Sequence, residues 1–324
     1  MSADPRAAHQ KDLFDPRKTT EDGRPIPKVQ VLSFGGGQDS TALLEMWLGE
    51  EDFRKRWPAE HMIVVFSDTG DEHVGTYQHL RRQQERLKGR DGIELAWITP
   101  DMGYHRDSWP SLTEHWERTN TIGSKKMPKS CSENLKSSVI YKWLDDRIGQ
   151  LFGFESGRKK ALYRYRDRYG PVPVMLGIAA DEEGRAKGND TGPKWMQRTV
   201  RRVYPLIDLG MGREDCQQKI RALGGKVPRP SLCQHCPFKR KEDLLLMEKS
   251  QPEVLKDWIR LEDEKLKAWE EECEERGIDN ATVWGDGRTL PEVLEDAKEE
   301  HADTPISEIE EKAFSEGHCV GTTY

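Results

Sequence analysis

The run Ser33-Phe34-Gly35-Gly36-Gly37-Gln38-Asp39-Ser40-Thr41 joins three consecutive glycines to an acid and two hydroxyls. Three glycines let a backbone turn tightly and approach a ligand, so that successive N–H groups point at oxyanion oxygens. Ser40 and Thr41 can add hydroxyl hydrogen bonds to a phosphate, and Asp39 can hold Mg2+. No lysine follows the glycines, so this is not the lysine-bearing Walker A loop, nor is the spacing the G-x-G-x-x-G of dinucleotide folds. The competing reading is a glycine-rich strand-to-helix turn with no ligand. A second set of residues carries sulfur. Cys233-Gln234-His235-Cys236-Pro237 places two thiols at the spacing with which one turn can hold one metal, flanked by Pro228 and Pro230. Cys131 lies far upstream, and Cys319 sits in Gly317-His318-Cys319-Val320. Cys216 and Cys273 fall in helical patterns and read as buried thiols.

These residues need elements to hold them. Val29–Phe34 is a short apolar run that ends in the glycines, and a helix follows from about Ser40 through Ala42–Gly49. His61–Ser67 is a second apolar strand, followed by a helical stretch from about His73 to Leu87, and Ile93–Ile98 is a third. Further along come a helix over Glu133–Arg147, a buried strand at Val172–Ile178 and a shorter one at Val203–Ile207. Leu255, Trp258, Ile259, Leu266 and Trp269 recur at helical spacing and predict an amphipathic helix from about Pro252 to Glu275. Alternating strands and helices give the α/β class, a doubly wound and mainly parallel sheet, with a helical C-terminal region. In such sheets ligands sit at the carboxyl ends of the strands, where the glycine loop falls. Three segments are expected: a flexible arm over 1–27, an α/β domain with the cysteine site over 28–242, and an acidic helical region over 243–324.

The glycine run resembles the SGG-x-DS signature of the PP-loop ATP pyrophosphatases, with Gly35 where that family usually has serine. The departure removes one hydroxyl and leaves the backbone cradle. Three further segments are similar to phosphoadenosine phosphosulfate (PAPS) reductase-like proteins of that superfamily, including phage-type and DNA-phosphorothioation-type members. Phe66-Ser67-Asp68-Thr69-Gly70-Asp71-Glu72 resembles their D-T-G-x-E segment. Cys131-Ser132-Glu133-Asn134-Leu135-Lys136 looks like their C-T-x-x-L-K. Leu176-Gly177-Ile178-Ala179-Ala180-Asp181-Glu182-Glu183-Gly184-Arg185 is similar to their G-I-x-x-D-E-x-x-R. The resemblance runs from about Val29 to Lys241, and implies an adenine nucleotide alpha hydrolase-like fold. It implies that Ser33 to Thr41 cradle the nucleotide, that Ser67, Asp68 and Thr69 line an adenosine pocket near Gly177, and that Lys136 and Arg185 stabilise phosphate charge. The Asp39-Ser40 pair favours ATP, cleaved between its α- and β-phosphates.

Iron–sulfur adenosine-phosphosulfate (APS) reductases of the group carry a cysteine pair where this chain has Ser130-Cys131, so three thiolates remain. Three thiolates on a [4Fe–4S] cluster leave one iron open, which resembles tRNA thiolation and DNA phosphorothioation enzymes and places a cluster at Cys131, Cys233 and Cys236. Zinc, with His235 or Cys216 as fourth ligand, is one alternative, and a reduced thiol pair is another. Cys319 is the candidate nucleophile of a sulfonucleotide reductase, although the surrounding residues differ from that group's Glu-Cys-Gly-x-His tail. The leading expectation is an ATP-dependent sulfur-transfer enzyme that adenylates an oxygen of a nucleic acid (tRNA or DNA) or a small molecule, with sulfur from a cysteine desulfurase or sulfide. An APS/PAPS-type reductase and a nucleotide-binding subunit without catalysis are the alternatives.

Composition frames these readings. The 324 residues suffice for one sizeable α/β domain and an appendage. No signal-peptide-like or membrane-spanning run is present in the sequence, which predicts a cytoplasmic protein with no membrane partner. The formal net charge of −7 hides an uneven distribution: residues 121–240 hold 25 Lys/Arg against 12 Asp/Glu, and residues 241–324 hold 10 against 25. The basic middle could meet phosphates, or the two regions could be solvated faces of opposite sign.

Overall fold

The computed structural model describes residues 18–20 and 23–316. Most of the arm expected over 1–27 and the segment bearing Cys319 lie outside them. Five parallel strands form one sheet, β1 (Val29–Ser33), β2 (His61–Ser67), β3 (Ile93–Ile98), β4 (Val172–Leu176) and β5 (Val200–Val203), in the order β3-β2-β1-β4-β5. Chain order therefore reverses at β1, which puts the loop after β1 at the switch point where α/β sheets bind ligands. The register sets Ser33 beside Val65 on one side and Leu176 on the other, so the ends of β1, β2 and β4 open together.

The strands are apolar on both faces because both faces are covered. Val29, Val31, Ile63 and Val65 pack under α5 (Ser138–Phe152) and α6 (Lys160–Tyr169). Leu32, Met62, Val64 and Phe66 pack under α1 (Gln38–Gly49), α2 (Glu51–Arg56), α3 (Val74–Leu87) and α9 (Arg213–Ala222). The remaining helices are α4 (Leu112–Thr119), α7 (Lys194–Thr199), α8 (Pro205–Asp208), α10 (Lys241–Ser250), α11 (Pro252–Ala268), α12 (Glu270–Arg276), α13 (Leu290–Glu300) and α14 (Ile306–Glu316).

The C-terminal helices do not keep their core to themselves. Trp258, Leu261, Leu244 and Leu294 share a cluster with Leu112 and Trp116 of α4 and with Leu135. Residues 112–135 therefore join the sheet domain to the helical region, and they also carry Cys131.

Several expected boundaries shift for local reasons. The strand expected at Val203–Ile207 is instead β5 at Val200–Val203; Pro205 supplies no N–H for a ladder and starts the helical turn α8. The long helix expected from Pro252 to Glu275 breaks at Trp269, whose φ of −110° and ψ of 6° end α11 and open α12. Helix α1 begins at Gln38, earlier than the apolar run suggests. The helix expected from Glu133 starts as one wide π-turn, Ser132–Ser137, closed by the Ser138 N–H on the Glu133 carbonyl. Such turns recur at functional sites because they displace side chains from regular helical positions.

Candidate active site

The glycine loop is shaped by contacts that exclude a side chain. Gly36 has φ +70°, and a β-carbon there would meet Thr76 Cγ2 at 3.0 Å. Gly177, at the end of β4, approaches the start of α1 so closely that a β-carbon would lie 2.7 Å from the Ser40 nitrogen. Glycine at these positions lets two strand ends meet around the N-terminus of α1, whose unpaired N–H groups and positive dipole end favour an anion.

A cavity, partly open to solvent, lies at this point. Its walls include Ser33, Gly35, Gly37, Gln38, Asp39 and Ser40 from the first loop, Thr69 from the second and Gly177 from the fourth strand. Lys136 and Arg185 face the same space, and so do Cys131, Cys233 and Cys236. Residues expected to act together, spread from position 33 to position 236, thus share one wall-to-wall site.

Other expected contacts are turned away from the cavity. Phe34 stacks on His79, with ring centroids 6.0 Å apart. Thr41 Oγ1 is 3.0 Å from His79 Nε2, and Ser67 Oγ donates to the Leu135 carbonyl at 2.6 Å. Asp68 is saturated: its Oδ1 accepts from the Gly70 N–H and the Tyr77 hydroxyl, each at 2.8 Å, and its Oδ2 from the Trp97 indole at 3.0 Å. These residues brace the loops instead of lining the pocket, and Gly36 lies beneath it.

Asp39 behaves differently. Its Oδ1 is buried and has no hydrogen-bond partner, while Arg213 lies 3.6 Å from its Oδ2. Burial holds the carboxyl up at about 6; Arg213 opposes that shift, and Glu182 and Asp181 reinforce it. Arg213 also contacts Glu182 at 3.1 Å, and Glu182 pairs with Arg185. A carboxylate oxygen left without a hydrogen-bond partner is the kind of oxygen ligand Mg2+ takes. Arg213 had no local signal in the sequence; it enters because α9 packs beside α1.

The cysteine loop is tied to the loop after β2. Cys233 bridges Glu72 backbone to backbone, and the Gln234 N–H donates to the Asp71 carbonyl at 2.7 Å. Asp71 takes the His235 N–H at 2.9 Å and His235 Nδ1 at 2.6 Å. Glu72, itself buried, has its Oε1 3.3 Å from Lys136 Nζ and 3.8 Å from Cys233 Sγ. Burial pushes the Cys233 thiol up, and Glu72 adds to the shift while Lys136 opposes it. On the other side Ser231 presses on the glycine loop: a β-carbon on Gly37 would meet its Oγ at 3.0 Å.

Three thiols in one cavity are the donor set of a thiophilic metal. Among the described residues, however, no three His, Cys, Asp or Glu side chains converge closely enough to share an ion. His235, an alternative zinc ligand, has its Nδ1 on Asp71 and its Nε2 without a hydrogen-bond partner, but it does not line the cavity. Cys216, the other candidate, is buried in the cluster beneath α1 and does not line the cavity. Cys273 is buried as expected, and Cys319 lies outside the described residues. No helix among the described residues is long and apolar enough to cross a membrane.

No protein-family model matches the chain. The chain is similar to an uncharacterized nin region protein, ORF290, of Escherichia phage lambda, with 26% identity over 171 residues. The match covers 49% of this chain and 51% of that relative, so the chain spans about half the length of the curated relative it matches.

Proposed function

We propose that this protein is an ATP-dependent sulfur-transfer enzyme of the PP-loop, PAPS reductase-like type. One observation carries the reading: the glycine loop, Lys136, Arg185 and three thiols, far apart in sequence, line a single cavity at the switch point of a parallel sheet. In the proposed reaction the α1 N-terminus and the N–H groups of residues 35–40 hold the ATP phosphates. A substrate oxygen attacks the α-phosphorus, the α–β bond breaks and pyrophosphate leaves. A sulfur nucleophile then displaces AMP from the adenylated substrate, so that oxygen departs with AMP and sulfur takes its place. Lys136 and Arg185 balance charge that builds on the phosphates. Mg2+ bound at Asp39 would supply further neutralisation. Cys131, Cys233 and Cys236, which line the same cavity but would have to draw together to share an ion, are the residues we assign to an iron–sulfur cluster, with zinc as the alternative; the substrate class is tRNA, DNA or a small molecule.

The test is pyrophosphate release from ATP, with candidate oxygen-bearing substrates and sulfide present, measured beside sulfite release from PAPS with a dithiol reductant supplied. Pyrophosphate from ATP without sulfite from PAPS is the expected result. Sulfite release would replace the reading by a reductase, and neither product would remove it. Iron and acid-labile sulfide in anaerobically purified protein decide the cluster separately from the ATP chemistry; zinc alone would sink it.

A further inference from the structure

The last helix of the described chain ends against the glycine loop. Gln38 is 4% exposed, and its Nε2 donates to the Phe314 carbonyl at 2.9 Å and the Pro228 carbonyl at 3.2 Å. Its Oε1 accepts from Gln217 Nε2 at 3.0 Å, and the same Gln217 nitrogen reaches the Ser315 carbonyl at 3.4 Å. The carbonyls of the final turn of a helix have no partner within it. Two side-chain amides from the sheet domain supply partners to α14 for that reason. The rest of α14 is held elsewhere: Ile309 and Ala313 pack on Leu246 of α10, the helix that follows the cysteine loop.

Gln38 is also the first residue of α1, and its position in the sequence suggested contact with the nucleotide. Its amide is instead engaged on both its nitrogen and its oxygen by protein groups. Fixing this side chain fixes the backbone at the N-terminus of α1, where N–H groups face the cavity. We infer that Gln38 is a positioning residue through which the docking of α14 orders the glycine loop and sets the affinity of the site for ATP. The nucleotide in that statement rests on the proposed function; the mechanical tie does not. By reciprocity, ATP bound at the loop tightens α14 in return.

The test uses the full chain with Gln38→Ala, Ile309→Asp and the double variant, read by ATP titration and by amide hydrogen exchange. Ile309 touches neither the loop nor the cavity, so its effect on ATP must travel through α14. Each single variant is expected to weaken ATP binding about tenfold, the loss of one or two buried hydrogen bonds. Each should also speed exchange of the amides of residues 35–41 by roughly the same factor. The double variant should add nothing, because both changes break one path. Unchanged ATP affinity and loop exchange in Ile309→Asp would overturn the inference, as would effects that multiply in the double variant. Ile309→Ala serves as the milder arm should the aspartate lower global stability. If the native chain binds no ATP, the functional reading fails and the exchange data alone decide the tie.

Discussion

Asp39, in the first turn of the helix that follows β1, and Asp68, in the loop that leaves β2, lie beyond the carboxyl ends of two neighbouring parallel strands, and both were expected to meet a ligand. Asp39 keeps a buried oxygen with no hydrogen-bond partner, while Asp68 accepts three hydrogen bonds from its own surroundings. The same contrast extends to their neighbours. After β1 the chain presents glycine backbone and the start of a helix to the cavity. After β2, Asp68 fixes Tyr77 and Trp97, Asp71 grips His235, and Glu72 meets Lys136 and Cys233. The first loop leaves its groups facing the cavity, and the second closes on the protein and holds the cysteine segment. An acidic residue at a strand end is therefore not by itself a ligand-binding residue; what matters is whether the fold has already satisfied it.

Swapping the two acids separates function from stability. Asp39→Asn is expected to cut pyrophosphate release by at least about a hundredfold, in line with loss of a preorganised charge at a phosphate site. Its effect on folding has the opposite sign. With a folded value near 6 against 3.8 unfolded, the ionised carboxyl costs stability that appears as pH rises through 3.8 and is complete above about 6. The penalty is on the order of 3 kcal/mol. Asp39→Asn should thus melt no lower than the native chain at pH 7.5, and the two should converge near pH 4. A large fall in Tm at pH 7.5 would show that the residue braces the fold.

Asp68→Ala should do the reverse. It strands the Trp97 indole and the Tyr77 hydroxyl in a buried site, which costs about 2–4 kcal/mol in chemical denaturation. The ATP affinity of the folded fraction should stay within about twofold. Strong loss of ATP binding with native stability would place Asp68 in the pocket and erase the contrast.

A further effect is expected beneath the first loop. Burial lowers the His79 imidazole to about 4, with Arg82 and Arg86 adding to the shift. A base with a depressed folded value contributes stability that is present above about 6.5 and is lost as pH falls from there towards 4. Asp39 acts in the opposite direction over an overlapping window. His79→Gln should flatten the fall in Tm between pH 6.5 and 4, and an unaltered Tm–pH profile would count against a buried neutral His79.

Much of the site was legible because its signals are local. Three glycines before an Asp-Ser pair, after a strand that leads into a helix, need only the backbone to make a tight turn. Strands β1 to β4 were readable as apolar runs, whereas β5, which carries Arg201 and Arg202, was not. Residues whose role depends on a distant partner were not. Asp71 and His235 are 164 positions apart and meet only when the cysteine loop folds over β2. Arg213 looks like any surface arginine until α9 lies against α1. Thr41 was expected at a phosphate and Ser67 at the adenosine, and the fold gives their hydroxyls His79 and the Leu135 carbonyl instead.

The sequence by itself determined a parallel α/β sheet, a glycine-rich turn between its first strand and the helix that follows, and an inventory of thiols and charges. These follow from periodicity and from backbone freedom, which act over a few residues. Tertiary structure decided which polar groups stay open and which are closed. That choice depends on the desolvation of each group by segments far away in the chain, as the bare oxygen of Asp39 and the filled carboxylate of Asp68 show.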